Sequence, residues 1–62
     1  MTPHVSALVP TIGATYQHFL GTFRVLRPVG CEWHIKWSTG RHEQVRMRKW
    51  KEMARDGMRR VD

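Results

Sequence analysis

The sequence predicts a small α+β domain, a two- or three-stranded antiparallel sheet packed on one C-terminal amphipathic helix. Apolar and polar residues alternate from Cys31 to Ser38, which is the period of a half-buried antiparallel strand. From Met47 onward apolar residues recur every three or four positions, which is the period of a helix that buries one face. The chain has 62 residues, so it forms one domain at most and buries only about 60% of the surface of its unfolded state.

We divide the chain into an apolar N-terminal arm, residues 1–14, and a single domain, residues 15–62. The arm carries no charged residue, and Pro3, Pro10 and Gly13 interrupt its apolar positions. This composition is typical of an extended segment that packs into a groove. The groove belongs to the domain or to a second copy, so the arm is a candidate dimer contact.

Residues 15–27 fit two interpretations. Their many β-branched and aromatic residues favour a strand, with Gly21 at a bulge or bend. The apolar positions also follow helical spacing, so a helix capped by Thr15 and ending before Pro28 remains the alternative.

The clearest predicted element is a hairpin centred near Val29. Residues 28–30, Pro-Val-Gly, read as a turn in front of the alternating strand, and residues 39–40, Thr-Gly, interrupt the chain after it. Residues 43–48 are a candidate third strand.

The predicted helix buries a narrow apolar stripe made of Met47, Trp50, Ala54, Met58 and Val61. A glycine costs about 1 kcal/mol inside a helix. Gly57 is therefore a candidate helix end, after which the basic tail would fray. The predicted core consists of Phe19, Phe23, Val25, Trp33, Ile35, Trp37, Met47 and Trp50.

The net charge of +6 is concentrated in the C-terminal half. Residues 1–23 contain no charged side chain, whereas residues 41–62 carry eight cations against four carboxylates. Such asymmetry favours an anionic partner, nucleic acid or the acidic surface of a protein. The predicted contacts are Arg46, Arg48, Lys51, Arg55, Arg59 and Arg60, with Lys36, Arg41 and Lys49 as additional contacts.

Three tryptophans lie among these cations and suit base stacking, but all three fall on faces assigned to the core. We therefore expect a non-enzymatic regulator that binds nucleic acid electrostatically through the Arg-rich helix, with weak sequence specificity. The alternative is a small inhibitor or adaptor, of the kind phages encode, that binds an acidic protein surface. A membrane-surface helix is a weaker third class, because the chain has enough apolar residues to bury the stripe internally.

The sequence predicts no catalytic residue, no metal site and no cofactor. Cys31 and His34 lie three positions apart on one strand, so their side chains point to opposite faces and cannot form a nucleophile–base pair. We assign Cys31 to the core. The four histidines and one cysteine lack the paired spacing of zinc ligands, and the glycines match no phosphate loop.

The apolar stretch from Val5 to Ile12 resembles neither a signal peptide nor a membrane span. No cation precedes it, and Pro10 and Gly13 interrupt it early. With its one cysteine, the chain is expected to be cytoplasmic and to have no membrane partner.

Residues 32–40, Glu-Trp-His-Ile-Lys-Trp-Ser-Thr-Gly, resemble the second strand of chromodomains, in which a Lys-Trp pair precedes a glycine. Chromodomains end in a helix after three antiparallel strands. The resemblance implies a small curved sheet followed by a helix, and no methyl-lysine site is carried over from it.

Overall fold

The computed structural model describes residues 9–62, which form an antiparallel sheet of five strands and one helix. In chain order the elements are β1 (Thr15–His18), β2 (Gly21–Val29), β3 (Glu32–Trp37), β4 (His42–Arg46), α1 (Met47–Arg55) and β5 (Arg59–Arg60). The strand order in the sheet is β4-β3-β2-β1-β5. The α+β class is confirmed, but the prediction of two or three strands understates the sheet. Four strands precede the helix and one follows it, unlike the order that the chromodomain resemblance implies.

Residues 15–27 form two strands joined by a tight turn, so both the single bent strand and the helix are wrong for this segment. His18 of β1 pairs with Gly21 of β2 across a turn that contains Phe19 and Leu20. Gly21 has a φ of +139°, which an L side chain rarely adopts, so glycine is needed where the chain reverses. A register irregularity does occur in β2, but it lies between Val25 and Arg27 rather than at Gly21.

The hairpin predicted near Val29 is present. β2 runs through Pro28 and Val29, and Val29 pairs with Glu32 of β3 across the turn. Cys31 lies in that turn and is exposed, so its assignment to the core is wrong. The alternation that placed it inward begins one residue later, because the strand starts at Glu32.

The helix begins at the predicted Met47, immediately after β4, and buries Trp50 and Met53. It ends as the sequence suggested, before Gly57. The Gly57 amide donates to the Ala54 carbonyl (3.1 Å) and the Met58 amide donates to the Met53 carbonyl (3.2 Å). These two bonds, with a φ of +95° at Gly57, form a Schellman motif, which satisfies carbonyls that the helix end would leave free.

The basic tail does not fray, which corrects the prediction. Arg59 and Arg60 form β5 against β1, and the Val61 amide donates to the Thr15 carbonyl at 2.9 Å. The turn after Gly57 buries Met58, whereas Val61, predicted on the apolar stripe, is 47% exposed.

Trp50 joins the helix to the sheet. Its ring meets Tyr16 and Phe23 edge-on, with ring centroids 4.9 and 5.9 Å apart. The buried hydrophobic residues are Ala14, Tyr16, Phe23, Val25, Ile35, Val45, Trp50, Met53 and Met58. Of the predicted core, Trp33, Trp37 and Met47 are half-buried against this cluster. Phe19 is 73% exposed, so its assignment to the core is wrong.

The described part of the arm, residues 9–14, packs only in places. Pro10 is buried, and the Thr11 amide donates to the Tyr16 hydroxyl at 3.2 Å. The Gly13 amide donates to the Val25 carbonyl at 2.7 Å, which extends the pairing of β1 with β2. Val9 and Ile12 are exposed. Residues 1–8 of the predicted arm lie outside the described residues, and the dimer contact through the arm stays a prediction.

Candidate functional site

Four cations form one exposed surface on α1. Arg48, Lys51 and Arg55 recur at the spacing of helix turns and point away from the buried Trp50. Lys49 is exposed on the flank of the helix beside Met53. We call these four residues the helix surface. Glu52 is the one carboxylate within it.

The electrostatics of the helix surface are unfavourable at the start of the helix. None of its four cations forms an ion pair with a residue in the described range 9–62. Arg48 and Lys49 lie in the first turn, which contains no acidic residue. Cations are disfavoured there because the helix dipole is positive at its N-terminus. The N-cap residue, Arg46, makes no side-chain capping hydrogen bond that would offset this.

Arg46 borders the helix surface, since it lines one depression with Arg48 and Lys49, but its charge is paired. Its Nε donates to Glu32 Oε2 at 2.8 Å across the β3–β4 pair. The hydrogen bond from Arg46 to the Glu32 carboxylate, and the attraction between their charges, raise the pKa of Arg46. The carboxylate therefore balances this guanidinium in the free protein.

Arg59 and Arg60 lie apart from the helix, on β5. Arg59 pairs with Gln17 on the sheet face opposite the core, and its Nη2 donates to Gln17 Oε1 at 3.4 Å. The Nε of Arg60 donates to Asp62 Oδ1 at 3.0 Å. Of the six predicted contacts the structure thus brings together Arg48, Lys51 and Arg55. The other three are distributed over the sheet.

The additional contacts are also separated. Lys49 joins the helix surface, Arg41 is exposed in the β3–β4 connection, and Lys36 lies on the outer face of β3. No ion pair is formed by any of these three with the residues that the structure describes.

The outer face of the sheet is a second cationic surface, which the sequence reasoning missed. Arg24 lies directly opposite Lys36, and Arg27 lies directly opposite His34. Arg24, His34 and Lys36 alternate with the inward residues Phe23, Val25 and Ile35, so they lie on the face away from Trp50. The register irregularity between Val25 and Arg27 shifts the alternation, and Arg27 joins the same face opposite His34. We call Arg24, Arg27 and Lys36 the sheet surface. In the sequence, the position of Arg24 between the apolar residues Phe23 and Val25 already indicated that its side chain lies on the outer face.

Two histidines adjoin the sheet surface. His34 Nε2 and His42 Nδ1 are 2.7 Å apart, so one imidazole donates a hydrogen bond to the other. His18 is engaged elsewhere, because its Nε2 lies 3.1 Å from Asp56 Oδ2. Across residues 9–62 no group of three or more His, Cys, Asp or Glu side chains is arranged to hold a metal ion. His34 makes its hydrogen bond to His42 and none to Cys31.

The tryptophans of β3 lie on the inner face. Trp37 packs at 4.9 Å from Phe23, measured between ring centroids, and its Nε1 donates to Glu43 Oε1 at 2.9 Å. Trp33 is half-buried against the same core. Both rings therefore contribute to the packing of the core.

An apolar groove lies at the end of the sheet nearest the β1–β2 turn. Its volume is about 350 Å³, and Trp37 and Met53 line its apolar part. Leu20 forms one wall and is 66% exposed, and Arg41 and Lys49 lie at its polar side. Glu43 also lines the groove, where its Oε1 accepts the hydrogen bond from Trp37 Nε1. The groove is a third candidate binding feature, and its chemistry suits an apolar side chain next to a polar group.

No family model, no curated protein and no solved structure matches this chain. No helix within residues 9–62 is long and apolar enough to cross a membrane.

Proposed function

We propose that the protein is a nucleic-acid-binding module that contacts the phosphate backbone through the helix surface. One observation carries the proposal. Four exposed cations occupy a helix of nine residues without an ion pair to any described residue, and two of them lie in the first turn. Because the helix dipole opposes positive charge there, the folded state gains nothing from these two cations. A polyanion that brings phosphates to the helix surface removes this unfavourable electrostatic energy.

The chemistry favours contact with phosphates over reading of bases. Arginine forks and lysine ammonium groups bind phosphate oxygens at any sequence. The aromatic rings that could stack on bases, Trp33, Trp37 and Trp50, are half-buried or buried in the fold. We therefore expect binding that depends strongly on salt and weakly on base sequence.

The test measures the affinity for a labelled DNA duplex, by fluorescence anisotropy, at several salt concentrations. Phosphate contacts by Arg48, Lys51 and Arg55, the three cations at the spacing of helix turns, predict that the logarithm of the binding constant falls with the logarithm of salt concentration with a slope of about −2.7. The double variant Arg48→Glu, Arg55→Glu should bind at least about tenfold more weakly, with a shallower slope. One reversal lies near each helix end, so their effects on helix stability oppose each other.

The matched control is Arg41→Glu, an exposed reversal outside the helix surface. It should change the affinity much less than the double variant. Equal affinities of the wild type and the double variant would overturn the proposal. Circular dichroism of each variant checks that the fold is intact.

A second candidate function is supported by the groove beside Leu20. An exposed leucine against Trp37 and Met53, with Arg41 and Lys49 alongside, is the chemistry of a small protein interface. In this interpretation the protein is an adaptor or inhibitor. Affinity capture from a nuclease-treated lysate tests it. A protein recovered by the wild type and not by Leu20→Lys supports the interface, and recovery of the same proteins by both contradicts it.

A further inference from the structure

We infer that the sheet surface is a second phosphate-binding site, through which the protein joins two nucleic-acid segments on opposite sides of the domain. The inference rests on the proposed function for the helix surface. It assigns a separate site to Arg24, Arg27 and Lys36, which lie on other elements.

Two cations of the sheet surface are close enough to repel each other. Arg24 and Lys36 are directly opposite each other in the β2–β3 pair, both exposed. Like charges in this position destabilise a sheet. No carboxylate offsets them, because Glu32, at the far end of β3, is engaged by Arg46. An anion placed between the two cations relieves their repulsion.

The surface between Arg24 and Lys36 forms a shallow depression of about 360 Å³, which both residues line. Its other lining residues are the hydroxyl-bearing Thr15, Thr22 and Ser38 and the apolar Phe23, Leu26 and Trp37. Cationic groups and hydroxyls are the side chains that contact phosphate oxygens in nucleic-acid complexes. Arg27 lies in the next row of the same face, opposite His34, so the cationic character continues along the sheet.

The helix surface and the sheet surface lie on opposite sides of the domain. α1 packs on the inner face of the sheet through Trp50, so the helix surface and the sheet surface point in opposite directions. The molecule measures 32 × 24 × 19 Å. Even its shortest dimension exceeds the Debye length of about 8 Å at physiological ionic strength. Two phosphate backbones held on opposite sides therefore repel each other only weakly.

The experiment asks whether one protein holds two duplexes. A short biotinylated DNA duplex is fixed on beads, and a second, fluorescent duplex is offered with and without the protein. Short duplexes are used because DNA is stiff at this length and cannot wrap around the domain. We expect the protein to retain the fluorescent duplex on the beads.

The key variant is Lys36→Glu. It places a carboxylate opposite Arg24, which should preserve the sheet while it removes the anion site. Its affinity for a single duplex should stay within about twofold of the wild type, because the helix surface is unchanged. Its capture of the second duplex should fall by about tenfold. Arg41→Glu makes the same change of charge off the sheet surface, on the β3–β4 connection, and should capture clearly more of the second duplex than Lys36→Glu does.

Two results would overturn the inference while the proposed function stands. One is a wild-type protein that binds single duplexes but retains no second duplex. The other is capture by Lys36→Glu equal to that of the wild type, since this would locate the bridge elsewhere, for instance in a dimer. A wild type that binds no duplex at all contradicts both this inference and the function on which it rests.

Discussion

At the scale of single residues, His18 shows how a polar side chain fixes a turn. Its Nδ1 accepts a hydrogen bond from the Leu20 amide at 3.2 Å, so its Nε2 is the donor to Asp56 Oδ2. The buried ring thereby connects the β1–β2 turn to the end of α1. Phe19, beside it, packs its ring on the imidazole at a centroid distance of 4.2 Å and is otherwise exposed. The turn is held by this polar network, which leaves Phe19 and Leu20 at the surface.

Asp62 provides a prediction of pH dependence at the same scale. Its carboxylate accepts hydrogen bonds from the Arg60 side chain and the Thr15 amide, each at 3.0 Å. The hydrogen bond from Arg60, followed by that from Thr15, lowers the pKa of Asp62 below its ordinary value. A carboxyl group whose pKa is lower in the folded state stabilises the fold above its unfolded pKa, and this contribution disappears as the pH falls through the folded value.

We therefore expect Asp62→Asn to melt at a lower temperature than the wild type near pH 6. The difference should begin to shrink below about pH 4, the ordinary pKa of an aspartate, and disappear once the pH falls below the lowered pKa of folded Asp62. Thermal unfolding followed by circular dichroism at pH 6 and pH 2.5 measures this. A difference in melting temperature that is the same at both pH values would contradict the role given to the charge.

At the scale of elements, α1 is held by packing and by its C-terminal motif rather than by its N-terminus. Trp50 and Met53 are buried, and Gly57 closes the end of the helix. The first turn, in contrast, has no side-chain cap and carries two cations. The N-terminal turn of α1 is therefore less stable than a first turn with a capping side chain and acidic residues would be.

Lys49→Glu should stabilise the protein by about 0.3–1 kcal/mol at low salt, because it replaces a cation by an anion at the positive end of the helix dipole. Arg55→Glu makes the same change of charge in the last turn and should destabilise the protein by a similar amount. Urea unfolding of both variants gives the two free energies of unfolding. Shifts of the same sign in the two variants would exclude the dipole as their cause.

At the scale of the whole molecule, the C-terminus completes the sheet and the core. β5 pairs with β1, and Met58, which lies between α1 and β5 in sequence, is buried. The sheet is thus completed by residues more than forty positions apart, such as Thr15 and Val61. A domain of 62 residues has little stability in reserve for the loss of such contacts.

A chain that stops after Gly57 should therefore lose cooperative folding at 25 °C. Removal of the buried Met58 side chain alone costs about 2–5 kcal/mol, and the loss of β5 adds to it. Near-ultraviolet circular dichroism and a thermal melt measure the effect, with Met58→Ala in the full-length chain as the comparison. A truncated chain that melts as sharply as the wild type would show that β5 is dispensable.

Local patterns predicted the elements whose residues are neighbours in sequence. The alternation through Trp33 and Ile35 predicted β3, and the spacing of Met47 and Trp50 predicted the helix, since both periods reflect burial of one face. The candidate site was predicted in part for the same reason. Helical spacing groups Arg48, Lys51 and Arg55, but it carries no information on Arg24 and Lys36, which meet only through the pairing of β2 with β3.

The sequence by itself determined the α+β class, the hairpin near Val29, the start of the helix and the excess of positive charge. Only the tertiary structure decided that residues 15–27 fold back on themselves, that Arg59 and Arg60 form a strand, and which cations share a surface. The physical reason is that strand pairing is set by hydrogen bonds between distant residues. The Val61 amide reaches the Thr15 carbonyl only after the helix has packed and Gly57 has turned the chain back toward β1.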